Sequence, residues 1–452
     1  MIQSKQIAGG SPVPGTGMAT VTTAELHVYA NGTSGNDAND GLTVSTPKLT
    51  LDAVFALVPD IVKHNTCVHL AGTFNEPGYV YLTKYVNGVM ALVIDGGDSW
   101  TVVDDNGGNK YAAIAGSSVS QLVVASTPWT TDQRFGYVVR VLTGTAAGQM
   151  RSVYSNSTNT LVVQADFSPA PAVGDTFDIV RPTTTISAST NSGGITIFRS
   201  TGQFYVQRLY LSGTKATLGA YESSTLIVAS VVSDSTYNYT IDCGRATNVT
   251  VSSYIKDTSQ TNFPTSTLHK ICVALRAGRI TACWMINAFL THLLAKNLKL
   301  ISVQYLWLGG CRILGPCTWS DVYSGPESIF TNGRQTQISN PAGVGISAYN
   351  SQFAPAAGGL SVSSCAGHGI ELNHSMFKAL GDVQGSGNTG AGVYAHNCSV
   401  VNIKHGAAPT LTGTVGDLAI TSPTVQESTW AAIDAGTPVA IAAEMTMAKE
   451  VV

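Results

Sequence analysis

The chain has 452 residues, with 24 Lys and Arg against 27 Asp and Glu and a net charge of −3. Only 11% of its residues are charged, where soluble domains carry about a quarter. No basic run offsets this balance, which excludes nucleic acid as a partner, and no stretch of about 18 consecutive apolar residues offers a membrane-spanning helix. So few charges leave a large surface little to hold it apart from its neighbours, and point to a subunit covered by others.

Residues 1–25 are rich in Gly, Pro, Thr and Ala and read as an extended arm that docks on another subunit. The first ten residues lack the apolar core of a signal peptide, so synthesis in a cytoplasm is expected. Asn36-Asp-Ala-Asn-Asp-Gly41 reads as a set of Asx turns; a calcium loop is the lesser alternative, because no distal bidentate Glu succeeds it. Thr46 and Pro47 suit an N-cap and first helical position. Leu49, Ala53, Val54, Leu57, Val58 and Ile61 then recur at helical spacing and predict a helix that plugs the open end of a coil. Residues 26–116 are read as this capping helix with the first rungs of that coil.

Between 117 and 182 the pattern changes to alternating strands broken by turns, such as Gly136 to Gly144, Ala147 to Tyr154, Leu161 to Val163 and Pro171 to Ile179. This predicts a small antiparallel β module inserted into the coil, with Arg140 and Arg151 on solvated strand faces. From 183 to 423 apolar runs return as successive rungs: Ile195 to Phe198, Phe204 to Leu211, Leu226 to Val232 and Val249 to Val251. Leu268 to Leu308, with Trp284, Met285, Phe289, His292 and Trp307, reads as buried rungs with aromatic stacking, a helical excursion over 286–296 being the alternative. Residues 424–452 form an Ala-rich apolar tail that needs a partner to cover it.

One motif occurs three times: Gly343-Val-Gly-Ile-Ser-Ala-Tyr-Asn-Ser351, Gly367-His-Gly-Ile-Glu-Leu-Asn-His-Ser375 and Gly390-Ala-Gly-Val-Tyr-Ala-His-Asn-Cys398. The starts at 343, 367 and 390 define a period in the low twenties, the mark of a solenoid with one coil per repeat. Ile346 and Ala348, Ile370 and Leu372, and Val393 and Ala395 lie two apart and share one strand face, the core face. The paired glycines predict corners with positive φ and close approach of the next coil. No leucine ladder with a fixed Asn or Cys is present, so a leucine-rich repeat is set aside for a parallel β-helix.

On these repeats the chain resembles the right-handed parallel β-helix, or pectin-lyase-like, superfamily, which includes many bacteriophage tailspikes and fibres. His27-Val-Tyr-Ala-Asn-Gly-Thr-Ser-Gly-Asn-Asp-Ala-Asn-Asp-Gly-Leu42, then Ser45-Thr-Pro47, a helical stretch and Val68-His-Leu-Ala-Gly-Thr73, is similar to that superfamily's entry segment. The resemblance covers about 26–75 and 183–423. It implies an all-β, right-handed parallel β-helix and says little of activity.

Eight cysteines (67, 243, 272, 283, 311, 317, 365 and 398) show no Cys-x-x-Cys or Cys/His metal spacing and read as buried, free residues; no metal or cofactor is expected. The sharpest catalytic candidate is His368. Gly367-His-Gly resembles a motif of the polygalacturonase-like glycoside hydrolases, and Asn402-Ile-Lys404 lies where their substrate clamp would fall. That reaction needs a paired acid and carboxylate, and the family's Asn-Thr-Asp and Asp-Asp motifs have no counterpart upstream of His368, Asp104-Asp105 being too early in the chain. Nor is the pectate-lyase calcium site with its Arg base present. Asp234, Asp242, Asp257, Asp321, Glu327, Glu371 and Asp382 are scattered, though residues from adjacent rungs meet in a coil. His368, Glu371, Asp382 and Lys404 therefore stand as the catalytic candidates.

Three roles are open to such a chain. The first is a structural or receptor-binding component of a phage particle (tail fibre, spike, baseplate or capsid decoration), a homotrimer whose arm and β module contact other virion proteins. The second is a tailspike depolymerase that cleaves a host surface polysaccharide. The third is a bacterial surface adhesin, which the missing export signal disfavours. The absent catalytic set favours a non-enzymatic role and a virion location, with a host surface glycan as the external partner.

Overall fold

The computed structural model describes residues 20–420 apart from 88–90, 189–192, 223–224, 237–239, 245–247, 252–268, 271–273, 292, 310, 323–328, 331–335, 354–359, 380–382, 397–399, 404–409 and 414–417. Most of the arm 1–25, the tail 424–452, Asp382 and Lys404 lie outside the described residues, as do the side chains of Trp284, Met285, Phe289, His292 and Trp307. Among the described residues the protein is nearly all β, with parallel sheets of the kind a β-helix contains, and these residues form no single closed solenoid. The ladders fall in two units, residues 1–278 and 279–452.

In the first unit, strands from successive coils pair in register. Leu26–Asn31 lies beside Thr66–Ala71, then Ala91–Asp95, Gln203–Gln207 and Thr225–Ala229. One inward column runs Val28, Val68, Ile94, Val206, Val228, all buried. A second ladder stacks Tyr79–Leu82, Gly193–Phe198, Ala216–Tyr221 and Ile241–Gly244, with Val80, Ile195, Leu218 and Ile241 as its inward column. Each such aliphatic side chain contributes about 1.5–3 kcal/mol on burial. Because neighbouring coils offer the same face at the same height, β-branched residues stack without gaps.

Leu26–Asn31 begins the ladder, and a loop closes its outer edge: Lys48 N–H donates to Tyr29 O at 2.9 Å, Asn31 N–H to Lys48 O at 2.8 Å and Tyr29 N–H to Gly41 O at 2.8 Å. Asx turns shape that loop. Asn36 Oδ1 accepts from Ala38 N–H, and Asp37 Oδ1 accepts from the N–H groups of Leu49 and Thr50. The helix spans Leu51–Leu57 and is capped by Thr50, whose Oγ1 accepts from Ala53 N–H at 3.2 Å. It starts later than Thr46 and Pro47 suggest because Thr46 Oγ1 donates to Asp40 and Lys48 already runs extended beside the first strand. The shift also turns the face: Leu51, Val54 and Phe55 are buried and Leu49 is exposed.

An antiparallel sheet interrupts the first unit. It contains Gln121–Val123, Val138–Val141, Met150–Asn156, Thr160–Val163 and Thr176–Pro182, and it takes in Trp100–Asp104 and Tyr111–Ala112, upstream of residue 117. Its centre packs Trp129, Val139, Val141, Leu161, Phe167 and Ile179. The two arginines are not on solvated faces. Arg151 is buried over the Phe167 ring and donates to the carbonyls of Met150 and Asp166, while Arg140 grips fully buried Asp178 through Nε at 3.0 Å and Nη2 at 2.7 Å. Tyr137 of this module and Tyr210 of the parallel ladder both donate to Asp234 Oδ2 at 2.8 Å, which docks the module on the coil.

In the second unit the threefold motif sets the register. Ile346–Tyr349, Ile370–Asn373 and Val393–His396 stack as Ile346–Ile370–Val393 and Ala348–Leu372–Ala395, continued by Cys317–Val322 and Leu418–Ile420. Thr336–Ile338, Leu360–Val362 and Val383–Asn388 form another ladder, and Gln352–Phe353, Met376–Ala379 and Val400–Ile403 a third. The paired glycines are not at positive φ; that conformation falls on Asn350 and His374, past the strand ends. Close approach fixes the glycines instead: a Cβ on Gly345 would sit 2.7 Å from Gly369 O, and one on Gly369 would sit 2.7 Å from Gly392 O. The stretch that allowed a helical excursion is strand, Ala274–Thr291 and Leu294–Gly309.

Candidate functional site

Outward residues of the second ladder in the first unit build an aromatic and acidic face. Tyr79 and Tyr81 alternate with buried Val80 and Leu82 and so point away from the core, Tyr81 being 58% exposed. In register beside Tyr81 come Thr196, Gly219 and Asp242. The small residues leave a floor, and larger rings flank it: Tyr79 lies 6.1 Å from Tyr81, and Phe198 meets the Tyr81 ring edge-on at 5.9 Å. The Tyr221 ring leans over Gly219, where a Cβ would stand 3.1 Å from Cε2, and its hydroxyl donates to Asp242 Oδ2.

The charged groups of this face are held in place. Arg199 lies 4.9 Å from the Phe198 ring centre and its Nε donates to Glu222 Oε2 at 2.6 Å. Burial pushes the Asp242 carboxyl up from its ordinary range, opposed by the Tyr221 hydrogen bond, and burial followed by the Asp242 contact pushes the Tyr221 phenol up. Glu76, just before the Tyr79–Leu82 strand, is pushed up to about 7 by burial and then by the charge of Asp52. Such a face offers flat rings for C–H surfaces, carboxylates that accept hydroxyl protons and a guanidinium that donates. The contact partner of Asp242 is a phenol, which donates to one carboxylate oxygen and fixes its orientation.

The sequence candidates lie in the second unit. Ala391 N–H donates to His368 Nδ1 at 2.9 Å, and the His368 ring stacks on Tyr394 at 4.4 Å with 14° between planes. That bond requires an unprotonated Nδ1, leaving Nε2 as the nitrogen for any other contact. Glu371 is half-buried and is the register partner of Tyr394. The ladder thus brings both His368 and Glu371 beside one tyrosine, while Asp382 and Lys404 lie outside the described residues.

A third cluster has no signature in the sequence. Strand register sets His27 beside Cys67 and Tyr29 beside His69, all on the outward face of the first ladder. His27 Nδ1 lies 2.9 Å from His69 Nε2, and Cys67 Sγ lies 3.7 Å from His69 Nδ1. His27 Nε2 meets Glu25 Oε1 at 3.2 Å, and the Tyr29 ring stacks on His69 at 4.7 Å. Burial, assisted by Asp95, drives the Cys67 thiol upward, and burial lowers His69. Linear Cys/His spacing could not reveal this set, because its members come from two strands about one coil apart.

No protein-family model and no curated protein matches the chain. Solved structures similar to it include the tailspike gp61 of Pseudomonas phage phi297, at 11% identity and TM-score 0.26 over 92% of this chain and 83% of that one. The gp54 tailspike of Acinetobacter baumannii bacteriophage AP22, solved in complex with A. baumannii capsular saccharide, is 12% identical at TM-score 0.20 over 79% and 71%. The tailspike gp49 of Pseudomonas phage LKA1 is 14% identical at TM-score 0.19 over 81% and 68%. Likeness at this level leaves function to the chain's own residues.

Proposed function

We propose that the chain is a structural, receptor-binding component of a bacteriophage particle, a right-handed β-helix of the fibre or spike type, whose aromatic face binds a host surface glycan. The observation that carries this reading is the outward cluster of Tyr79, Tyr81, Phe198 and Tyr221 beside Arg199, Glu222 and Asp242. Sugar rings present C–H faces that stack on aromatic rings and hydroxyls that bridge carboxylates and guanidinium groups; a rigid ladder holds these contacts ready, which limits the ordering cost of binding. The low charge and the resemblance of residues 26–75 and 183–423 support a homotrimer in a virion, with the arm and the β module facing other particle proteins. His368, whose Nδ1 is taken up by the Ala391 N–H, favours binding over cleavage.

The test is retention of the purified chain on immobilised capsular and O-antigen polysaccharides from candidate hosts, with Tyr81→Ala and Phe198→Ala beside the wild type. Retention lost in both variants, with no oligosaccharide released, supports a binding spike. Release of oligosaccharides moves the assignment to the depolymerase alternative, with Glu371 and Asp242 the first carboxylates to replace. Absence of retention on every polysaccharide overturns the glycan reading, and a monomeric mass by light scattering overturns the trimer.

A further inference from the structure

We infer that His27, Cys67 and His69 form a binding site for a transition-metal ion of the zinc type, which staples the first two strands of the ladder. Three potential ligand atoms, one from each side chain, lie within 4.8 Å of one another. The donors are a thiol and two imidazoles, a set that selects zinc, cobalt or copper over calcium or magnesium, whose preference is oxygen. In a tetrahedral zinc site, ligand nitrogens stand about 3.3 Å apart and sulfur about 3.6 Å from nitrogen, from bond lengths of about 2.0 and 2.3 Å. The two observed contacts, 2.9 Å from His27 Nδ1 to His69 Nε2 and 3.7 Å from Cys67 Sγ to His69 Nδ1, use different nitrogens of the His69 ring, so only one of them is a ligand-to-ligand separation around a single ion, while the set as a whole lies within 4.8 Å. One ring nitrogen of His69 would ligate, and a small rotation of either imidazole opens the space.

The surroundings are those of a built site. Glu25 holds the far nitrogen of His27, the carboxylate–histidine arrangement that orients metal ligands, and Tyr29 stacks on the His69 ring and fixes its plane. Cys67 is 1% exposed and packs with Ala91, Val93 and Tyr205, so the thiol is shielded from oxidants yet reaches the imidazoles. As the metal–nitrogen bonds form, the proton between the two imidazoles passes to the ring nitrogen that stays outside the ion's shell; the thiol proton leaves to solvent as the metal–sulfur bond forms, so the ion is taken up with proton release. The site would tie residue 27 to residue 67 across the loop and helix that close the end of the ladder, and the ion would stabilise that end because it binds the folded arrangement and not the unfolded chain.

The experiment is a titration of the chelator-treated full chain with Co²⁺, read by the thiolate-to-cobalt absorption band, together with the zinc retained after dialysis. One ion per chain, a thiolate band and a rise in melting temperature with Zn²⁺ are expected. Cys67→Ser should abolish the band, and His27→Gln, at a half-buried position, should weaken the affinity if Cys67→Ser fails to fold. Glu25→Gln should lower affinity about 10-fold by releasing the His27 ring, and Cys317→Ser should leave the band intact. A wild type that gives no band and retains no zinc overturns the site, as does unchanged affinity in a folded Cys67→Ser or His27→Gln chain.

Discussion

The repeat ladder around Ile346, Ile370 and Val393 and the antiparallel module between Trp100 and Pro182 hold themselves together by different means. The ladder repeats one solution. After two successive strands a buried serine hydroxyl accepts an N–H from the previous coil: Val322 N–H donates to Ser351 Oγ, and Ser351 N–H donates to Ser375 Oγ, both at 3.0 Å. The module solves its core once, with charge networks gathered on two aspartates. Asp104 gathers Tyr111, Trp129 and Arg134, while Asp178 gathers Arg140 and Lys110. A repeated backbone device spreads stability over many small contributions, whereas a single charge network concentrates it in a few residues.

The sharpest way to break this contrast is Arg140→Leu. It leaves fully buried Asp178 with Lys110 at 3.6 Å as its remaining cation and should cost about 3–5 kcal/mol, read as a fall in the urea midpoint. Gly369→Ala should cost less, about 1–3 kcal/mol, because the added Cβ meets Gly392 O and the next coil must shift. Ser375→Ala removes one acceptor from a buried N–H and should cost about 1–2 kcal/mol in the same assay. If Ser375→Ala proved as damaging as Arg140→Leu, stability would not be spread along the ladder in small contributions.

The smallest effect concerns pH. Glu76 is pushed up to about 7, so the folded chain holds its proton through a range where the unfolded chain has lost it. Its contribution to stability is full below the ordinary carboxylate range and is lost as pH rises through about 7. Melting temperatures between about pH 5 and pH 8 should therefore fall less steeply in Glu76→Gln than in the wild type. Equal slopes would assign the pH dependence to other groups.

Much of the ladder is legible in the sequence, because a coil that stacks on itself must return the same face at the same interval, and Ile346, Ile370 and Val393 do so. The role of the glycines is half legible: close approach is evident, but positive φ falls on Asn350 and His374, residue types that enter that region more readily than most non-glycine residues. Arg140 and Arg151 are hidden because alternation alone places a side chain on a face and does not say whether that face has a carboxylate or a ring against it. The aromatic face is hidden for a topological reason. Tyr81 and Thr196 are register partners, yet the whole module lies between them in the sequence. The helix start is displaced because Thr46 and Pro47, though suited to a cap, are already used to close the edge of the first strand.

Entry to and exit from the module lie side by side. Trp100 is the register partner of Pro182, and Thr183 N–H donates to Ser99 O at 2.9 Å. Immediately afterwards Thr185 takes its place beside Thr73 and Gln203 beside Ala91. The ladder therefore resumes as though adjacent residues had been joined, and the length and content of the inserted segment do not enter its register. Residues 99–183 can therefore be lengthened or shortened without moving a rung, provided that Tyr137 keeps its hold on Asp234 and the module core keeps its packing on Val232.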